Sequence, residues 1–418
     1  VYKNMEFSTR DQYRNAIERI HKRTGYGEIK IAQEAIRLAQ KACCKKEKDK
    51  CKHHVGHYLI RKGVRDLEKK TNYHPTIKEK LIRMVLDHPT SFYISFLTTI
   101  ILVLLIPLMV YVYRSNPHFI WPVLILMIAL IPASDSCLNI LNLFITYLVG
   151  PFILPKINLE EGIPNHAKTF VVIPTIINQK ESISQLLEDL EIRFLSNQDK
   201  NLYFAILSDF ADAESKKMPF DYEIIKTLKM GIKALNDKYH KGHEKFYFFH
   251  RKRLWNPSER KWMGWERKRG KIHEFNRFLR GNHNTSFNTH PPYSNFFSEI
   301  KYVITLDTDT KLPRNAAKKL VGTILHPLNQ PQFDKISRIV TKGYSILQPR
   351  ISITPESAEK SLFSKIYSGH TGIDPYTTAV SDSYQDLFGE GIYTGKGLYV
   401  VDTFESSLKN RVSENTLL

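Results

Sequence analysis

A mainly parallel α/β domain, preceded by a basic helical region and a transmembrane helical hairpin, is the fold class the sequence predicts. Three observations point to it. Short apolar runs alternate with amphipathic helical stretches from residue 155 onward. No charged residue occurs from Ser91 to Tyr113. Residues 1–90 carry apolar side chains at helical spacing. With 418 residues, 42% of them hydrophobic, the chain can bury a sizeable core, which excludes a disordered or collagen-like protein. Its 4 cysteines (Cys43, Cys44, Cys51, Cys137) include none in the long C-terminal half, so no disulfide framework holds the fold.

In the first region, Tyr13, Ala16, Ile17 and Ile20 repeat at i, i+3, i+4, i+7, as do Ala32, Ala35, Ile36 and Ala39. Thr24-Gly-Tyr-Gly27 separates the two helices, and the lysine-rich stretch 41–52 reads as solvated. Cys43, Cys44, Cys51, His53, His54 and His57 match no common zinc spacing, so a helix-loop role is preferred. Residues 91–154 follow as two spans plus an interfacial segment. The first runs from Phe92 to Tyr113, with Tyr93, Tyr111 and Tyr113 near its ends. The second starts at Phe119, with Asp135 near the far interface and the Asn- and Thr-containing stretch 136–148 lying on the membrane. The first 91 residues hold 22 Lys and Arg against 11 Asp and Glu. That excess places them, and the domain after the hairpin, on the cytoplasmic side of the bilayer.

From 155 to 418 the elements alternate. Strands are expected at 169–174, 202–207, 245–249 and 301–306, and helices at 182–193, 222–240 and 271–280. Acidic residues cluster where strands end, the edge at which open α/β sheets hold ligands. Asp307-Thr308-Asp309 follows the 301–306 strand, and carboxylates at alternate positions can share one divalent ion beside a phosphate. It is not an EF-hand, because Leu312 and Lys318 stand where Gly and Glu are required. Asp209 ends an earlier strand and suits a base or ribose. Arg267-Lys-Arg-Gly-Lys271 opens a helix and suits a diphosphate, a solvated face being the rival reading. The glycine segment 389–397 is neither a Walker A loop nor a dinucleotide fingerprint. From Lys156 on, 38 Lys and Arg against 30 Asp and Glu is too mild an excess for a nucleic-acid binder.

These words resemble the N-terminal and glycosyltransferase portion of bacterial cyclic β-1,2-glucan synthases. The similarity is carried by His54-Val-Gly-His-Tyr-Leu-Ile60, Val171-Val-Ile-Pro-Thr175, Ser208-Asp209 and Glu266-Arg-Lys-Arg-Gly-Lys271. It continues in Leu306-Asp-Thr-Asp-Thr310, His326-Pro-Leu328, Ile346-Leu-Gln-Pro-Arg350, Phe388-Gly-Glu-Gly-Ile-Tyr-Thr-Gly-Lys396 and Glu414-Asn-Thr-Leu-Leu418. The resemblance implies a GT-A-type inverting transferase of the bacterial inner membrane, using UDP-glucose and Mg²⁺ or Mn²⁺ to extend a glucan acceptor. It implies Asp307 and Asp309 as metal ligands, and Val172 to Thr175 with Asp209 at the uridine. Arg269 and Lys271 would meet ribose or phosphate, Gln348 and Arg350 the acceptor, and Glu390 is a candidate base. Members carry further acidic, transmembrane and phosphorylase-like segments, so a fragment is expected. Another processive polysaccharide synthase, or a lapsed membrane-tethered sugar-nucleotide binder, is the alternative.

Overall fold

The computed structural model describes residues 1–418 except 116–117, 119, 180, 240–241, 350–353, 355–357, 368–382, 390, 392 and 409–418. The chain forms two compact units. One comprises residues 1–71, 154–348 and 395–418, the other residues 72–153 and 349–394.

The first unit begins with helices α1 (Phe7–Thr24) and α2 (Glu28–Cys44) and the short α3 (Gly56–Ile60) and α4 (Val64–Lys70). Gly25 closes α1 in the left-handed conformation at φ +68°, as its lack of Cβ allows. On α2 the buried stripe is Ile31, Ala35, Ala39 and Ala42, while Ile36 is exposed. The spacing that starts at Ala32 predicts Ile36 on the inner face instead. Ile31 opens an i, i+4, i+8, i+11 row that a pattern starting at Ala32 misses.

A seven-stranded sheet in the order β10-β11-β7-β1-β2-β3-β6 carries the rest of this unit. Its strands are β1 (Thr169–Ile177), β2 (Leu202–Phe210), β3 (Phe246–Arg251), β6 (Phe287–Thr289), β7 (Tyr302–Thr305), β10 (Ile346–Leu347) and β11 (Gly397–Val400). The pairs β7–β1, β1–β2 and β2–β3 are parallel; β6, β11 and β10 join antiparallel. Two small hairpins, β4 (Leu254–Asn256) with β5 (Lys261–Met263) and β8 (Gln332–Asp334) with β9 (Ile339–Lys342), stand apart.

Successive strand residues point to opposite faces, and both faces are covered, which is why these strands read as unbroken apolar runs. Val171, Ile173, Phe204, Ile206 and Ile304 pack under α8 (Glu181–Ser196), α9 (Asp221–Tyr239) and α12 (Ala316–Leu325). Phe170, Val172, Ala205, Leu207 and Phe249 pack under α10 (Arg267–Leu279) and α11 (Asn295–Ser298). Each large side chain so buried contributes roughly 1.5–3 kcal/mol. The mixed α/β class with a mainly parallel sheet is therefore as the sequence predicts.

The second unit contains α5 (Ile77–Asp87), α6 (Pro89–Ser115) and α7 (Ile120–Val149). Thr76 and Glu79 form a reciprocal capping box at the start of α5. Val85, Leu141, Ile145 and Leu387 make its small core, with Phe96 stacked on Phe144 at 5.0 Å. Both α6 and α7 are long and apolar enough to cross a membrane, and only 6% of the most apolar window of each is buried. A core helix of a water-soluble protein would hide that surface. Where the sequence suggests a second span followed by a separate interfacial segment, α7 is one helix of 30 residues running through Pro132. No turn residue interrupts the stretch 136–148 to set it apart.

Candidate active site

The carboxyl ends of the parallel strands converge on two acidic stations. At the first, Ser208 on β2 lies opposite His250 on β3, so the next residue of each strand brings Asp209 beside Arg251. Arg251 grips the carboxylate with two parallel hydrogen bonds, Nε to Oδ1 and Nη2 to Oδ2, each 2.7 Å. Lys271, from α10, lies 3.1 Å from Oδ2 and donates to the Thr175 carbonyl at 2.6 Å. All three charged side chains are buried. Glu274, 3.8 Å from Arg251, makes the cluster two acids against two bases. Burial opposes ionisation of Asp209, but Arg251 and Lys271 outweigh it and hold its pKa below the usual aspartate value. For Lys271, burial wins over Asp209 and lowers the pKa. Gly264 closes this station, since a Cβ there would stand 2.6 Å from the Asp209 carboxyl carbon.

At the second station the chain leaves β7 through Leu306 and turns at Asp307-Thr308-Asp309, where the Thr310 amide donates to the Asp307 carbonyl at 3.1 Å. Arg193 of α8, itself buried, fastens the turn from beneath. Its Nε donates to the Thr310 carbonyl at 3.0 Å and its Nη2 to the Thr308 carbonyl at 2.5 Å. Asn197, one helical turn on, donates to the Leu312 and Pro313 carbonyls at 3.3 and 3.1 Å and accepts from the Ala317 amide. The Asp309 side chain stays exposed. Lys268 of α10 bonds Asp307 Oδ1, and Lys396 lies 3.0 Å from Oδ2. Partial burial disfavours the charged form of Asp307, yet the two lysines together hold its pKa low.

The basic run 267–271 divides its charges among separate partners. Arg267 forms a bidentate pair with Asp212 (2.6 and 2.5 Å), Lys268 takes Asp307, Arg269 takes Glu266 and Lys271 takes Asp209. Thr175 meets the first station through its backbone carbonyl. Gln348, half-buried after β10, lies against Gly397: a Cβ on that glycine would stand 3.1 Å from the Gln348 Cα. Arg350 and Glu390 lie outside the described residues. Arg193 and Arg251 carry no local motif, and Lys396, although inside the glycine segment, gains its role only from the fold. The available signals were a lone arginine on the inner side of an otherwise apolar and acidic helix, and an arginine ending an aromatic strand. Asp307 and Asp309 stand two positions apart in one turn, and their carboxylates are the hard oxygen donors that a divalent cation such as Mg²⁺ or Mn²⁺ takes.

No protein-family model matches the chain. Over 426 aligned positions it is 39% identical to the cyclic beta-(1,2)-glucan synthase NdvB of Rhizobium meliloti (strain 1021), an alignment covering 100% of this chain. The chain is a relative of one stretch of that synthase. The resemblance carried by the sequence words thus extends along the whole chain, although the chain spans only 15% of the relative's length. Both acidic stations and both apolar helices fall inside the matched region.

Proposed function

We propose that the chain is the membrane-bound glucosyltransferase portion of a cyclic β-1,2-glucan synthase, an inverting GT-A-type enzyme using UDP-glucose. Identity of 39% along the entire chain to a protein named for that synthesis carries the reading. The two acidic stations at the carboxyl edge of the sheet support it, because a sugar nucleotide needs one subsite for its nucleoside and another for its diphosphate. In this reading Thr175 and Asp209 lie at the uridine, and Arg269 and Lys271 meet ribose or phosphate. Asp307 and Asp309 would hold Mg²⁺ or Mn²⁺, which when bound neutralises the departing diphosphate. Gln348 and Arg350 orient the acceptor glucan, so that its 2-hydroxyl attacks the anomeric carbon from the face opposite UDP. A carboxylate base takes the hydroxyl proton, Glu390 being the candidate within this chain. The two apolar helices would hold the transferase on the cytoplasmic face of the inner membrane, where UDP-glucose is present.

Membranes containing the protein, supplied with labelled UDP-glucose and Mg²⁺ or Mn²⁺, should release UDP and form glucan whose linkage analysis gives 2-substituted glucose. Asp307→Ala and Asp309→Ala should each lower UDP release by about 100-fold or more, the scale of losing several kcal/mol of charge stabilisation. Undiminished release in either variant would refute the metal assignment, and another linkage would refute the product.

A further inference from the structure

Two lysines from distant elements meet on one carboxylate. Lys268 comes from the first turn of α10, and Lys396 from the glycine segment that enters β11. Their approach is built into the backbone. The Thr305 hydroxyl donates to the Gly395 carbonyl at 3.0 Å, and Gly397 pairs with Thr305 across β11 and β7. That pairing lays Lys396 beside the end of β7, where Asp307 begins the turn. Gly395 adopts φ +83°, and a Cβ there would stand 3.1 Å from Lys268 Nζ. A residue with a side chain would thus strain the backbone and crowd the point where the two ammonium groups converge.

Resting on the proposed donor site, we infer that Lys268 and Lys396 form a latch on Asp307 which a nucleoside diphosphate opens and a bare divalent cation does not. Each oxygen of Asp307 is taken by one ammonium group. A lone cation reaching that carboxylate must displace a lysine while both positive charges stay close by. A diphosphate removes the conflict. Its oxygens accept the charge-assisted hydrogen bonds of the two lysines, and the freed carboxylate passes to the cation that arrives with it. Both lysine side chains are partly exposed, 33% and 16%, so they can reach a ligand from solvent. Cation and diphosphate then bind as a pair, and the free enzyme is kept from holding metal unproductively.

The test separates the two affinities in the purified protein. Mn²⁺ binding is followed by loss of the free-ion electron paramagnetic resonance signal, with and without UDP, and UDP binding by calorimetry in the presence of Mn²⁺. In the double variant Lys268→Gln, Lys396→Gln, Mn²⁺ alone should bind about tenfold more tightly and UDP with Mn²⁺ about tenfold more weakly. Each single variant should show the same opposed shifts at smaller size, which keeps the test open if the double variant misfolds. Shifts of the same sign, or none, overturn the latch while leaving the donor site intact. Failure of the unmodified protein to bind UDP with Mn²⁺ overturns the donor site and the latch together.

Discussion

Among individual residues, the buried histidines make the clearest statement about solution behaviour. His250 and His326 have no measurable exposure. His250 Nδ1 lies 2.7 Å from the Ser208 hydroxyl, and His326 Nδ1 accepts the Leu328 amide at 3.3 Å. Burial, outweighing Asp209 and Asp221, pushes the His250 pKa down to about 4. Burial, helped by nearby His54, takes His326 to about 3. In the unfolded chain both would protonate near pH 6.5. Between that value and pH 4 the unfolded state therefore binds protons that the folded state refuses. Stability is complete above pH 6.5 and falls as pH drops, by up to about 1.4 kcal/mol per pH unit for each histidine. The urea midpoint should accordingly fall between pH 7 and pH 5. His326→Asn, which can still accept the Leu328 amide, should flatten that slope; an unchanged slope would show that His326 takes up no proton on unfolding.

Among elements, the pairing of α8 with the acidic turn decides how the second station is held. Arg193 spends a buried guanidinium on two backbone carbonyls that flank Asp309, and Asn197 extends the fastening to the start of α12. Such a charge is costly to bury unless its hydrogen bonds fix something. Arg193→Met should leave the sheet folded, lower stability by about 1–3 kcal/mol and weaken UDP binding in the presence of Mn²⁺. Arg193→Lys, able to reach one carbonyl, should fall between. Full UDP affinity in a folded Arg193→Met protein would mean the turn holds its shape without the arginine. The parallel strands were legible in sequence because both their faces are covered: 169–174 was expected and Thr169–Ile177 is found, 202–207 expected and Leu202–Phe210 found. The short strands β6, β10 and β11 were not legible. With two to four residues each they carry no period, and pairing alone makes them strands, β6 with β3, β11 with β7 and β10 with β11.

For the whole molecule, the question is what surrounds α6 and α7. Their apolar surfaces face outward over most of their length, and charged residues are nearly absent from them. An aqueous environment would leave that surface as an aggregation site, whereas lipid would satisfy it. The protein should sediment with membranes and stay there after an alkaline carbonate wash, with detergent needed to release it. Release by carbonate alone would contradict the spanning assignment. The formal charge of +19 is shared unevenly, with the first 91 residues carrying a two-to-one basic excess.

The sequence by itself determined the apolar helices, the central strands and the place of the acidic pair Asp307 and Asp309. Each of these depends on composition or period over a few neighbouring residues. The tertiary structure alone decided which charges meet. Lys268 reaches Asp307 across 39 positions and Arg193 reaches Thr308 across 115. Strand order and register bring such residues together, and a local pattern contains no record of either. For the same reason the basic run, uniform in sequence, serves four different carboxylates in the folded chain.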